Sequence, residues 1–162
     1  YQGRMPFFYL VRSLAHFRLA DLESAHKDQD MAVGLSPEDT LIMADINLML
    51  YEGNLDWAED FYSRVLAKNP RDALALHGRA DACRMNNEHE LAIGFYTRAI
   101  DIDPREPRLY LGRGKSYLAI NELEKARVDF EKAPTVTDKL HLKRQAEELI
   151  SKVIVTSKVT IT

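Results

Sequence analysis

Apolar residues return at steps of three and four along this chain, the spacing that gathers side chains on one face of a helix. The segments so marked run about 6–19, 22–34, 37–52, 55–68, 71–86, 89–102, 105–120, 123–133 and 138–153. In the first, Phe8, Leu10, Val11, Leu14, Ala15 and Phe17 cover more than one face. Proline-bearing polar stretches open three of the segments: Ser36-Pro37-Glu38-Asp39, Asn69-Pro70-Arg71-Asp72 and Asp103-Pro104-Arg105-Glu106. Each joins a side-chain cap to a proline and first-turn acids, the chemistry of a helix start. Gly53-Asn54, Asn87 and Asn121 mark tight turns that accept left-handed backbone. Helices alternating with such short turns leave no room for strands, and the predicted fold is all-α.

The same pattern recurs. In Leu91–Pro104, LAIGFYTRAIDIDP, the residues Ala92, Tyr96 and Ala99 share a helical face and Pro104 closes the segment. A shift of 34 residues back places Ala58, Tyr62 and Pro70 in the matching slots, and 34 forward places Ala126, Phe130 and Ala133. A looser copy, Ala25 and Pro37, lies 33 residues before Ala58 and Pro70. A helix pair of this size cannot bury its apolar side alone, so neighbouring pairs must stack.

A helix–turn–helix period of 34 residues resembles the tetratricopeptide repeat (TPR) family, with its pattern W-x2-L-G-x2-Y, A-x3-F, P. The fourth unit matches best, through Tyr110, Gly114, Tyr117, Ala126 and Phe130. The third offers Leu76, Ala80, Cys83, Ala92, Tyr96 and Pro104, and the second Ile42, Met49, Ala58, Tyr62 and Pro70. The first offers Tyr9, Ser13, His16, Ala25 and Pro37. Ile46 departs from the pattern where a small residue is wanted, and Gln29 where an aromatic is. The resemblance implies a right-handed superhelical solenoid of antiparallel helix pairs. Its array would fill residues 1–136, in units of about 6–38, 39–72, 73–106 and 107–136.

Pro134 is expected to break the last paired helix early. Residues 137–153 then read as a C-terminal capping helix, with Leu142, Ala146, Leu149, Ile150 and Val153 inward. Residues 154–162 complete the stretch VIVTSKVTIT, which is β-branched, nearly uncharged and free of Pro and Gly. That composition predicts a strand-like or disordered tail.

Charge changes the picture little. The formal net charge is −3, with 8 Lys+Arg against 13 Asp+Glu in residues 1–81 and 14 against 12 in 82–162. Such a balance argues for neither a nucleic-acid partner nor an anionic membrane. No apolar run reaches a membrane-spanning length, so no membrane insertion is expected. The single Cys83 excludes an internal disulfide and fits a reducing compartment such as the cytoplasm, although a signal or flank outside this stretch would change the compartment.

Candidate chemistry reduces to false leads. Gly112-Arg113-Gly114-Lys115-Ser116 ends like a phosphate loop, but Leu109 stands where its first glycine belongs and a helix surrounds it. The histidines His16, His26, His77, His89 and His141 show no metal-binding spacing. Asp28-Gln29-Asp30 lacks the glycine and distal glutamate of a calcium loop, and Glu59-Asp60 reads as a solvated face. No catalytic residue, metal or cofactor is expected.

What remains is the groove that the TPR resemblance implies, lined by the first helix of each pair. It would comprise Leu10, Leu14 and Phe17, then Met43, Asn47 and Leu50, then His77, Asp81 and Arg84, and finally Arg108, Leu111 and Lys115. An apolar front leading to a partly basic back suits an amphipathic protein or peptide segment with an acidic end. Leu10, Leu14 and Asp81 disagree with a clamp for C-terminal carboxylates, and the lone Asn47 with an asparagine ladder. The expected function is a non-catalytic scaffold or adaptor. The alternatives are self-assembly through Phe7, Phe8 and the tail, or a regulatory segment of a larger protein.

Overall fold

Capping chemistry decides where each helix of the chain begins and ends. In the computed structural model, residues 6–37 and 55–159 are described. They form eight helices: α1 Pro6–Arg18, α2 Leu22–Leu35, α3 Leu55–Lys68, α4 Ala73–Met85, α5 His89–Ile102, α6 Pro107–Ala119, α7 Leu123–Lys132 and α8 Leu140–Val159. No strand occurs among the described residues. The helix expected over 37–52 and the turn at Gly53-Asn54 lie outside them, apart from Pro37.

Two helices start later than the sequence suggests, because a different residue caps. Asp72, rather than Asn69, accepts the Ala75 N–H at 2.9 Å, so α4 begins at Ala73. Glu106 accepts the Arg108 N–H at 3.1 Å, with Pro107 at the first helical position. Ser36, expected to open a helix, instead closes α2, donating its N–H to the Ala32 carbonyl.

Three of the turns are copies of one motif. Ala20, Asn87 and Asn121 hold φ of 59°, 62° and 61°. At each, the left-handed residue donates to the carbonyl three back and its successor to the carbonyl five back. These are Ala20 to Phe17 and Asp21 to His16, Asn87 to Arg84 and Glu88 to Cys83, and Asn121 to Leu118 and Glu122 to Tyr117. Two orphan carbonyls are thereby satisfied, and the successor residue caps the next helix.

The chain divides into two compact units, Tyr1–Ala82 and Cys83–Thr162, with the division inside α4. In the first, α1 packs on α2. Trp57 of α3 stacks on Phe61 at 5.5 Å and donates its indole N–H to Ser13 Oγ of α1 at 2.9 Å. A Cβ at Gly78 would fall inside the Tyr62 ring, so α4 reaches α3 closely only because that residue is glycine. In the second unit, α6 packs against both α5 and α7. The ring of Tyr96 occupies the space of a Cβ at Gly112, and that of Phe130 the space at Gly114. The repeat slots Ala25, Ala58, Ala92 and Ala126 are all fully buried.

The C-terminus departs from expectation. Helix α7 stops at Lys132, and a 3-10 turn over Ala133–Val136 follows, as Pro134 requires. The capping helix then runs Leu140–Val159 rather than 137–153, so residues 154–159 are helical and not strand-like. Nothing in the stretch breaks a helix, and its hydroxyls bond backwards into it, Ser151 to the Glu147 carbonyl and Thr156 to the Lys152 carbonyl. Once Leu142, Ala146, Leu149 and Val153 are buried beside Phe130, propagation outweighs the weak β preference of the last turn. Residues 160–162 lie outside the described residues.

Candidate functional site

Helix α1 brings together part of the expected groove. Leu10 is wholly buried, whereas Leu14 and Phe17, three positions apart and half-buried, share a helical face. Met43, Asn47 and Leu50 lie outside the described residues. In α4, His77 and Asp81 stand one turn apart with Nε2 and Oδ2 at 3.2 Å, and both are 5 % exposed. Arg84 is half-buried and donates from Nε to the Tyr96 hydroxyl at 3.2 Å. In α6, Arg108 is exposed and held by Glu106 at 2.9 Å, while Lys115 is half-buried. Leu111 is 3 % exposed and belongs to the core shared with α8.

The expected set therefore separates into two kinds. Leu10 and Leu111 support the helices from beneath, and the His77–Asp81 pair braces α4 from a nearly closed position. Leu14, Phe17, Arg84, Arg108 and Lys115 retain surface on which a partner can act.

Sequence reasoning missed a pair of charged clasps. Arg12 binds both carboxylate oxygens of Asp28, at 2.7 and 2.6 Å, and Arg113 both of Asp129, at 2.8 and 2.8 Å. Each joins the two helices of one hairpin, α1 to α2 and α6 to α7, across 16 residues. Their aspartates are 3 % exposed, so only this forked geometry makes the buried charge tolerable. The hydrogen bond from each arginine to its aspartate outweighs desolvation and lifts the guanidinium pKa further above its already high value. Arg113 also donates to Thr97 Oγ1 at 3.0 Å, tying α6 to α5. The available signal was register: Arg12 and Arg113 fall in the same repeat slot, as do Asp28 and Asp129.

Other expected surface groups prove to be partnered. Asp60 stands 3.0 Å from His26 Nε2, and Glu59 pairs with Arg79, so Glu59-Asp60 is not a freely solvated face. Asp30 is gripped by Lys68 at 2.6 Å and Arg64 at 3.2 Å. Partial burial opposes its ionisation, but the Lys68 hydrogen bond and the neighbouring charges win and hold its carboxyl below the usual range. Burial pushes the Tyr110 phenol up, and its O–H donates to the Pro104 carbonyl at 3.0 Å.

Gly112-Arg113-Gly114-Lys115-Ser116 lies wholly within α6, and both glycines serve ring packing. Among the described residues, no cluster of three or more His, Cys, Asp or Glu is placed to hold a metal ion. No helix among them is long and apolar enough to cross a membrane.

Residues 47–107 match the family model of the tetratricopeptide repeat. The chain is also similar in fold to solved structures. With PcrH in complex with the chaperone binding region of PopD, the TM-score is 0.66 at 18 % identity, over 75 % of this chain and 93 % of that one. With the Yersinia enterocolitica type III secretion chaperone SycD, in complex with a peptide of the translocator YopD, it is 0.65 at 16 %, over 75 % and 95 %. With a thermophilic TPR protein of Thermus thermophilus it is 0.64 at 18 %, over 92 % of this chain and 81 % of that one.

Proposed function

We propose that this chain, a member of the tetratricopeptide repeat family, is a non-catalytic adaptor that holds a segment of a partner protein on the first helices of its pairs. The observation that carries the reading is the division of labour on those helices. Their buried residues are committed to packing, while Leu14, Phe17, Arg84, Arg108 and Lys115 keep apolar and cationic surface. Such a surface suits an amphipathic segment with acidic residues at one end. Because the helices are already ordered, a partner loses little affinity to reorganisation of this chain. Met43, Asn47 and Leu50 complete the proposed face. The peptide complexes of PcrH and SycD support the same mode of action.

The test is affinity capture from native lysate with the wild-type chain beside Arg108→Glu/Lys115→Glu, followed by calorimetry with the purified candidate. Both residues have solvent-facing surface, so circular dichroism should report unchanged helicity. A partner that binds wild type and loses at least tenfold in affinity to the double variant supports the adaptor reading. A partner that binds both equally removes the cationic end of the face from the proposal.

A second reading, self-assembly, is favoured by one observation. Phe7, Phe8 and Val11 of α1 are 50 %, 44 % and 45 % exposed, an apolar patch where a terminal repeat ordinarily shows a polar face. Self-assembly predicts a mass that rises with concentration and falls on Phe7→Ser/Phe8→Ser, whatever happens at Arg108 and Lys115.

A further inference from the structure

A cavity of about 230 Å³ lies between the second helices α2 and α3, away from the face just proposed. Val33, Phe61 and Val65 give it apolar walls, and Gln29, Arg64 and Lys68 supply its polar groups. Two of those groups are incomplete. Gln29 is 2 % exposed and its Oε1 accepts no hydrogen bond from the protein, although its Nε2 donates to Asp60 Oδ2 at 3.5 Å. The Nε–H of Arg64 is likewise buried without a protein acceptor, although its Nη2 donates to Asp30. Buried polar groups left in this state are costly, and a native structure seldom holds two in one cavity without use for them.

We propose that this cavity receives one bulky apolar side chain of a partner polypeptide. The peptide N–H beside that side chain donates to Gln29 Oε1, and the adjoining carbonyl accepts from Arg64 Nε–H. Three features select this occupant. A cavity of ~150 Å³ is enough for benzene, so this one takes a leucine or phenylalanine side chain. One orphan acceptor beside one orphan donor complements a peptide backbone, whose residues each offer an N–H and a C=O. A free carboxylate is a poorer match, because Asp30 already engages both cations, Lys68 at 2.6 Å and Arg64 at 3.2 Å. The site goes beyond the adaptor face and stands or falls separately from it.

The test is a nitrogen-15 NMR titration of the 162-residue chain with N-acetyl-leucine methylamide and N-acetyl-phenylalanine methylamide. Each probe carries one side chain between two peptide groups. The proposal expects saturable shifts at the Gln29 side-chain amide and the Arg64 Nε–H with at least one probe. The alanine analogue and free phenylalanine should bind at least tenfold more weakly. Val33→Phe, which fills the cavity, should weaken the better probe at least tenfold. Gln29→Met, which removes the acceptor at similar volume, should weaken it severalfold, and it decides alone if Val33→Phe fails to fold. Arg108→Glu/Lys115→Glu should bind the probe as wild type does, which separates this site from the adaptor face. No saturable shift from either bulky probe on the folded chain overturns the proposal. So does equal binding of the alanine analogue or of free phenylalanine, or an affinity unmoved by Gln29→Met.

Discussion

Ala20 occupies a conformation that its side chain resists. At φ 59° it does the work that Asn87 and Asn121 do in the other hairpins, with a Cβ crowding the next carbonyl. Glycine removes that contact at some entropic cost, so Ala20→Gly should stabilise the chain by about 0.5–1 kcal/mol in urea unfolding. The reverse logic applies at Gly112, whose missing Cβ makes room for the Tyr96 ring. Gly112→Ala should destabilise by about 1–3 kcal/mol, as over-packed cores do. Asp30 supplies a pH prediction. Its pKa is depressed in the folded state, so the stability it contributes is present above the unfolded value, about pH 4. That contribution disappears as pH falls through the lower folded value. Asp30→Asn should therefore lower stability at pH 7 and flatten its loss below pH 4 in a series of urea melts. The sequence showed Asn87 and Asn121 as left-handed turns because asparagine advertises that backbone, and it hid Ala20 because alanine does not.

At the scale of the element, helix α8 is the informative case. Leu142, Ala146, Leu149 and Val153 bury against Tyr110, Leu111, Ala126 and Phe130, which closes the apolar end of the last hairpin. Leu149→Ala should cost about 2–3 kcal/mol, because the side chain is nearly buried and its removal leaves a void. The amphipathic stripe made the helix and its inward face legible, but not its end. Composition assigned residues 154–159 to a strand-like tail, whereas packing one turn earlier and the lack of a breaker carry the helix to Val159. Helix-type carbon-13 shifts through Val155, Thr156 and Ser157 are the expected observation, and strand-type shifts there would contradict the structure. The late starts of α4 and α6 have a similar origin, since several capping residues stood side by side and only geometry shows which one accepts the bond.

At the scale of the molecule, the 34-residue recurrence of Ala and Tyr or Phe made the hairpin order readable, because those slots are filled for packing alone. The groove was less legible. A first-helix position predicts a face but not its depth, so Leu10 and Leu111 were grouped with exposed neighbours although packing had already taken them. The Arg12–Asp28 and Arg113–Asp129 clasps escaped because arginine and aspartate on a helix normally read as solvated. Two native probes report on the two compact units. Trp57, buried on Phe61 and bonded to Ser13, lies in the first, and Cys83, the one thiol and 2 % exposed, begins the second. Repeats contact only their neighbours, so unfolding is free to divide between units. Thiol labelling of Cys83 should be at least ~10³-fold slower in the native chain than in denaturant, the protection that a few kcal/mol of stability confers. Leu149→Ala should then lower the urea midpoint seen by Cys83 labelling more than that seen by Trp57 fluorescence, since Leu149 and Cys83 share a unit. Equal displacement of both midpoints would instead show that the chain unfolds as one cooperative body despite its two units.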